Sequence, residues 1–268
     1  MRRSPRGPAL AAVLSLLSGL LVAGGVLTGG APAAAAVTGD PPAQTEREAL
    51  DQAHRGKQRV EVLSLRSENR QVFANPDGSF TSETSALPER VRRNGGWADV
   101  DATLAFAPDG SVKTVATPLE LTFSGGGTTP LARLAEGGRS VEMSWPGDLP
   151  KPALEGSTAT YGEVLPGVDL KVTASVLGFS EVLVVKNKEA AADPALAKLV
   201  FGMRANGLAV RRTATGGLSA VNDKGTEVFH SPAPRMWDSS GATTRSSLAA
   251  GPERQARQAV MGVEVAQD

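Results

Sequence analysis

Over residues 169–176 apolar and polar side chains alternate without a break. Leu170, Val172, Ala174 and Val176 fall on one side of an extended segment, and Asp169, Lys171, Thr173 and Ser175 on the other. A period of two predicts a strand with one buried face and one wet face. Pro166-Gly167 ahead of it carries turn chemistry, because proline presets φ and glycine tolerates a positive φ. Leu177-Gly178 is expected to reverse the chain. Val182–Val185 is apolar at every position, which predicts a strand covered on both faces. Residues 161–186 therefore read as an edge-to-centre step in a sheet.

The remaining pattern repeats this grammar. Thr45-Glu-Arg-Glu48 matches a capping box and predicts a short helix over 45–55 that Gly56 ends. Its apolar stripe is only Ala49, Leu50 and Ala53, so it is expected to dock weakly. From Arg59 the period changes to two. Strands are expected over 59–65, 71–74 and 80–85, with a turn at Asn75-Pro-Asp-Gly78. Residues 90–93 and 97–104 should form a hairpin about Asn94-Gly-Gly96. Ala107-Pro-Asp-Gly110 repeats the earlier turn. Leu119, Leu121 and Phe123 alternate, as do Val141, Met143 and Trp145. Residues 149–152 should run extended. Asp193-Pro194 reads as a helix cap followed by proline at the first helical position. Short strands are expected at 208–211, 218–221 and 226–229, and a last one over 259–265. Turn signals at roughly 8- to 12-residue intervals mark an all-β sandwich or barrel. The expected fold is mostly β and antiparallel β-sandwich-like, with an N-terminal signal helix and one short helix near 45–55.

The N-terminus changes the picture. Arg2, Arg3 and Arg6 precede an apolar run from Ala9 to Leu27, and small residues fill 33–36. This is the layout of a cleaved secretory signal over 1–36, with cleavage near 34–36. The run is about long enough to span a bilayer, but its glycines and the Ala-Pro-Ala cluster favour cleavage. The Arg2-Arg3 pair lacks the apolar residues that a twin-arginine signal places after it. The expected division is a signal peptide over 1–36, a linker and short helix over 37–56, a β-rich domain over 57–238 and a linker-like tail over 239–268. Whether the β-rich part is one body or two halves meeting near 150–157 is open.

Composition then excludes whole chemistries. The chain of 268 residues carries 28 basic and 28 acidic side chains. Loss of the three N-terminal arginines leaves a formal charge of about −3 and no basic field for nucleic acid or an anionic membrane. There is no cysteine, which removes thiol catalysis, thiolate-bound zinc, iron–sulfur clusters and disulfide support. His54 and His230 are the only histidines, too few for a multi-histidine metal site in one chain. No cofactor is expected.

Several pieces together resemble the N-terminal region of large secreted actinobacterial proteins that go on to carry LamG-like jelly-roll domains, DNRLRE-type domains or RHS/YD repeats. They are KQRVEVLSLRSENRQVFANPDGSF, GGWADVDATL, LTFSGGG, MSWPGDLPKPALEGSTATYGEVLPGVDL, GFSEVLVVKN and SPAPRMWDSS. The resemblance runs from about Lys57 to Ser240. It implies an extracellular, β-rich, non-catalytic leader module that serves domains further along the same polypeptide, and it transfers no catalytic residues. A secreted toxin of the RHS type is one such continuation. In those proteins the chain runs well past MGVEVAQD, so a truncated product is the expectation here.

Some constellations could nonetheless carry chemistry. Asp99 and Asp101 are two apart and would share a strand face, as a calcium-binding or acid/base pair would; calcium wants roughly six to eight oxygens and no run of acidic or amide ligands surrounds the pair, so the solvent face of a hairpin explains them better. Glu163 and Asp169 flank the Pro166-Gly167 turn. A glycosidase needs two carboxylates across one sugar bond, but an aspartate that binds turn amides needs no substrate. Trp97, Trp145, Trp237 and Tyr161 could stack on sugar rings or fill a core; Trp237 is the least explained by periodicity. Ser124-Gly-Gly-Gly127 lacks the lysine and helix of a phosphate loop. Neither histidine has a serine elbow to work with. Low-specificity candidates for ligand contact are thus Trp237, Tyr161, Glu163 and Asp169, with a cell-wall or extracellular glycan as the candidate ligand.

Overall fold

The computed structural model describes residues 42–238 and 258–266. The expected signal peptide and most of the expected tail lie outside them. Among the described residues no helix is long and apolar enough to cross a membrane.

The first helix, α1 (Glu46–Gly56), begins on the expected capping box. Thr45 Oγ1 accepts the Glu48 N–H at 3.3 Å, and Glu48 Oε2 accepts the Thr45 N–H at 3.1 Å. Its end is one residue later than expected. Lys57, not Gly56, takes the left-handed conformation, at φ 53°. The helix is also better docked than its short stripe suggested. Ala49 and Ala53 are fully buried in a small cluster with Ala43, Val62 and Ala74. Small side chains let the helix lie close to β1 (Val60–Glu61) and β2 (Arg70–Ala74), which with β3 (Phe80–Thr84) form a three-stranded sheet. The expected strand over 59–65 is cut to two residues, and Leu63–Leu65 coils into a 3-10 turn.

A short hairpin follows, β4 (Arg90–Arg93) and β5 (Gly96–Asp99). The expected strand over 97–104 breaks at Val100, whose N–H donates to Glu89 O at 2.9 Å. Beyond the break, β6 (Asp101–Phe106), β7 (Val112–Ala116), β8 (Glu120–Phe123), β9 (Ala132–Glu136) and β10 (Arg139–Ser144) meander antiparallel. The organising segment comes next: β11 (Ala153–Glu155), β12 (Thr158–Leu165), β13 (Val168–Ser175) and β14 (Gly178–Val185), paired in that order. A one-turn helix, α2 (Lys188–Ala191), and a 3-10 turn at Pro194–Leu196 lead to β15 (Gly202–Asn206), which closes the meander against β10. Then come β16 (Ala209–Arg212), β17 (Leu218–Val221) and β18 (Glu227–Ser231) as a third sheet, and a ribbon of β19 (Arg235–Trp237) with β20 (Gln258–Val260). Every strand pair is antiparallel.

The six-stranded and four-stranded sheets share one core. Leu104, Val112, Leu121 and Phe123 from the first, with Leu131 just ahead of β9, meet Ala159, Tyr161, Leu170, Val172 and Ala174 from the second. Phe123 and Phe179 stack edge to face at 5.5 Å between ring centroids. Residues 150–157 thus join two layers of one core. This two-layer arrangement agrees with the sandwich-like class read from the sequence. Backbones approach closely where glycine permits: a Cβ on Gly125 would lie 1.9 Å from the Gly110 carbonyl oxygen.

The edge-to-centre reading is inverted. β13 buries Val168, Leu170, Val172 and Ala174 and is the inner strand, with β12 on one side and β14 on the other. β14, expected to be covered on both faces, is the sheet edge and is at most half-buried. The reversal is also one residue earlier than expected: Ser175 pairs with Gly178, so Val176-Leu177 forms the turn.

Candidate functional site

β12 does not run straight into the Pro166-Gly167 turn. Its register against β13 shifts between Tyr161 and Leu165, and Glu163 within that shift adopts φ 55°. Such a conformation is uncommon for a residue with a side chain. A bulge re-aims the side chains around it, and here it turns Glu163 onto the hairpin end. Glu163 Oε2 accepts the Gly167 N–H at 2.7 Å, and Asp169 Oδ1 accepts the Glu163 N–H at 2.8 Å. Lys186 completes the group. Its Nζ lies 2.5 Å from Glu163 Oε1 and 2.6 Å from Asp169 Oδ1. Lys186 follows Val184, the β14 partner of Asp169, by two residues and so shares its face. Its backbone N–H donates to Gly167 O at 2.9 Å.

The electrostatics match this geometry. The Lys186 ammonium, followed by the Gly167 amide, holds the Glu163 carboxyl below its ordinary value. Lys186, then the Glu163 amide, does the same for Asp169. The two carboxylates in turn raise Lys186. All three groups are charged near neutrality, and the lysine cation lies between the two carboxylates. Two ionised carboxylates on one built-in cation fix a bulge and a turn. A cleft of about 270 Å³ lies beside the turn, lined by Pro166, Gly167, Asn187, Glu189, Ala190 and Asp193. A larger cleft of about 580 Å³ is lined by Val210, Arg211, Arg212, Glu264 and Val265.

The other candidates separate. Tyr161 is fully buried, and its hydroxyl donates to Ser124 O at 2.7 Å. Burial pushes its phenol well above the ordinary range. Its ring fills the core and is not free to stack on a sugar. Trp145 is buried against Phe201, and Trp97 is half-buried under the Arg92 guanidinium at 4.1 Å. Trp237 alone among the tryptophans is open, 59% exposed on β19 beside the exposed Met236. Asp99 and Asp101 do not share a face, because the break at Val100 puts them in different sheets. Asp101 accepts the Thr103 N–H at 2.8 Å. In the glycine loop, Ser124 Oγ accepts the Gly126 N–H at 3.0 Å, and Gly127 bridges to Leu149. His230 lies 3.7 Å from Glu227 on an exposed strand, and His54 is exposed on α1. Among the described residues no three His, Asp or Glu side chains group as a metal would require.

Lys186 was not legible as part of a site. A single exact register for the β13–β14 hairpin would have revealed it, since the two-residue turn at Val176-Leu177 sets Lys186 against Gly167. No family model matches the chain, and no curated protein or solved structure shows significant similarity to it.

Proposed function

We propose that this chain is a β-sandwich-like, non-catalytic module of an exported protein, serving to scaffold or to bind a partner. The observation that supports this reading is the clasp of Glu163 and Asp169 on Lys186. A general acid needs a carboxyl raised toward the working pH; both carboxyls here are lowered and committed to backbone amides and an ammonium. The export part of the reading rests on the basic, apolar and small-residue order of residues 1–36. Incubation of the purified chain with cellulose, chitin and peptidoglycan tests it. No reducing ends should appear above buffer. Release that Glu163→Gln abolishes would overturn it.

A second reading, a glycan-binding module, is favoured by one feature, the exposed indole of Trp237. On that reading the chain is retained on chitin or peptidoglycan, and Trp237→Ala releases it. Equal retention of the two proteins would remove it.

A further inference from the structure

β14 pairs with β13 over its whole length, from Ser175 with Gly178 to Val168 with Val185, with no register shift. Among the described residues its other side meets no strand. The Lys186 N–H bond to Gly167 fixes the alternation. Gly178, Ser180, Val182 and Val184 direct their backbone groups to β13, and Phe179, Glu181, Leu183 and Val185 direct theirs outward. Among the described residues no other backbone group meets those outward ones; the Glu181 N–H leans on its own carboxylate.

The other edges of the sheets with three or more strands are guarded. β1 has two residues and β11 three. The pairings of β6 and β18 carry register shifts. β3 bears Glu83 among hydroxyl residues, β15 bears Arg204, and β16 bears Arg211 and Arg212. Shortness, bulges and charge are the devices that keep an edge from recruiting another strand. β14 has eight residues ending in Val182-Leu183-Val184-Val185, and Val185 is 40% exposed. Glu181 is its sole charge. It pairs with Val172 and therefore faces the core side, between Phe179 and Leu183. The apolar surroundings raise its carboxyl above the ordinary value, although much of the residue meets solvent.

We propose that β14 pairs antiparallel with β14 of a second copy about Val182, joining two four-stranded sheets into one. Directly opposed residues share a face, so a continuous sheet must oppose odd-numbered residues to odd-numbered ones. Centred on Val182, Glu181 opposes Leu183 of the second copy, and Phe179 opposes Val185 of the second copy. Every outward N–H and C=O of both strands then has a partner. Centring on Glu181 would oppose two carboxylates. Centring on Leu183 would set Phe179 against Asn187, which caps α2. The pairing gives the partner-binding reading a partner and rests on that reading. Glu181 is its restraint, because it brings a charge against an apolar side chain.

Sedimentation velocity of the purified chain over a wide concentration range tests the pairing. A concentration-dependent dimer is expected. Glu181→Val should tighten it about tenfold by removing a charge from an apolar contact. Glu181→Pro removes one outward N–H and no bond to β13, and should leave a folded monomer. Amide exchange at Leu183 and Val185 should slow as the wild-type protein is concentrated, a readout that needs no variant. A wild-type monomer at every concentration, or a dimer indifferent to both substitutions, would overturn the pairing. Failure of the pairing without glycan cleavage would leave the module reading standing; cleavage by an intact dimer would remove that reading and keep the pairing.

Discussion

The Lys186 ammonium ties together a bulge on β12, the first residue pair of β13 and the end of β14. Its contribution to stability has a definite sign with pH. Glu163 and Asp169 have folded-state values below their ordinary 4.5 and 3.8. They stabilise the fold above those values and lose that stabilisation as pH falls through the lower, folded ones. Lys186 is raised above 10.5, so its part is present below that value and lost as pH rises through the folded one. Urea unfolding of wild type and Lys186→Met should therefore differ most near neutrality and converge in acid. A constant difference down to full protonation would show that the lysine acts through packing instead. Tyr161→Phe should cost about 1–3 kcal/mol, because the buried Ser124 carbonyl loses its donor. A thermal midpoint unchanged by that substitution would mean another group satisfies the carbonyl. At this scale the sequence identified two carboxylates correctly as turn-flanking, but not the cation between them. Lys186 is distant along the chain, and only the pairing of β13 with β14 brings it to the two carboxylates.

Elements were legible where their cause is local. The turns at Asn75–Gly78 and Ala107–Gly110 close alike: the glycine N–H returns to the first residue, and an aspartate accepts a serine amide two positions on. Thr213–Gly216 and Asn222–Gly225 close with the same backbone bonds. The capping box of α1 is equally local, and Thr45→Ala should cost about 1 kcal/mol in a denaturant melt. Elements failed where their cause is distant. β14 looks like a buried strand because it is aliphatic, yet burial depends on whether another strand arrives beside it, and none does among the described residues. The docking of α1 depends on Val62 and Ala74, which its own stripe cannot reveal. Gly125 is an ordinary loop glycine in the sequence. In the fold, Gly125→Ala forces a methyl into the Gly110 carbonyl, at an expected cost on the order of 2–3 kcal/mol.

For the whole molecule, the shared core makes the two large sheets one cooperative body. Phe123 is buried in the first sheet and stacks on Phe179 of the second. Phe123→Ala should cost about 3–5 kcal/mol and lower both sheets in a single transition. Two separated transitions would contradict a common core. The class of fold was readable because alternation and turn spacing are properties of the chain itself. Which sheets face each other was not, since nothing local marks Tyr161 as reaching Ser124. Glu163 and Asp169 are held by backbone amides and an ammonium, and among the described residues the outer edge of β14 pairs with no further strand. Carbon-13 NMR titration of the Glu163 and Asp169 carboxyls in the purified chain tests this most directly. Both midpoints are predicted to lie below the ordinary 4.5 and 3.8. Either carboxyl titrating above its ordinary value, as a proton donor to substrate must, would contradict the account.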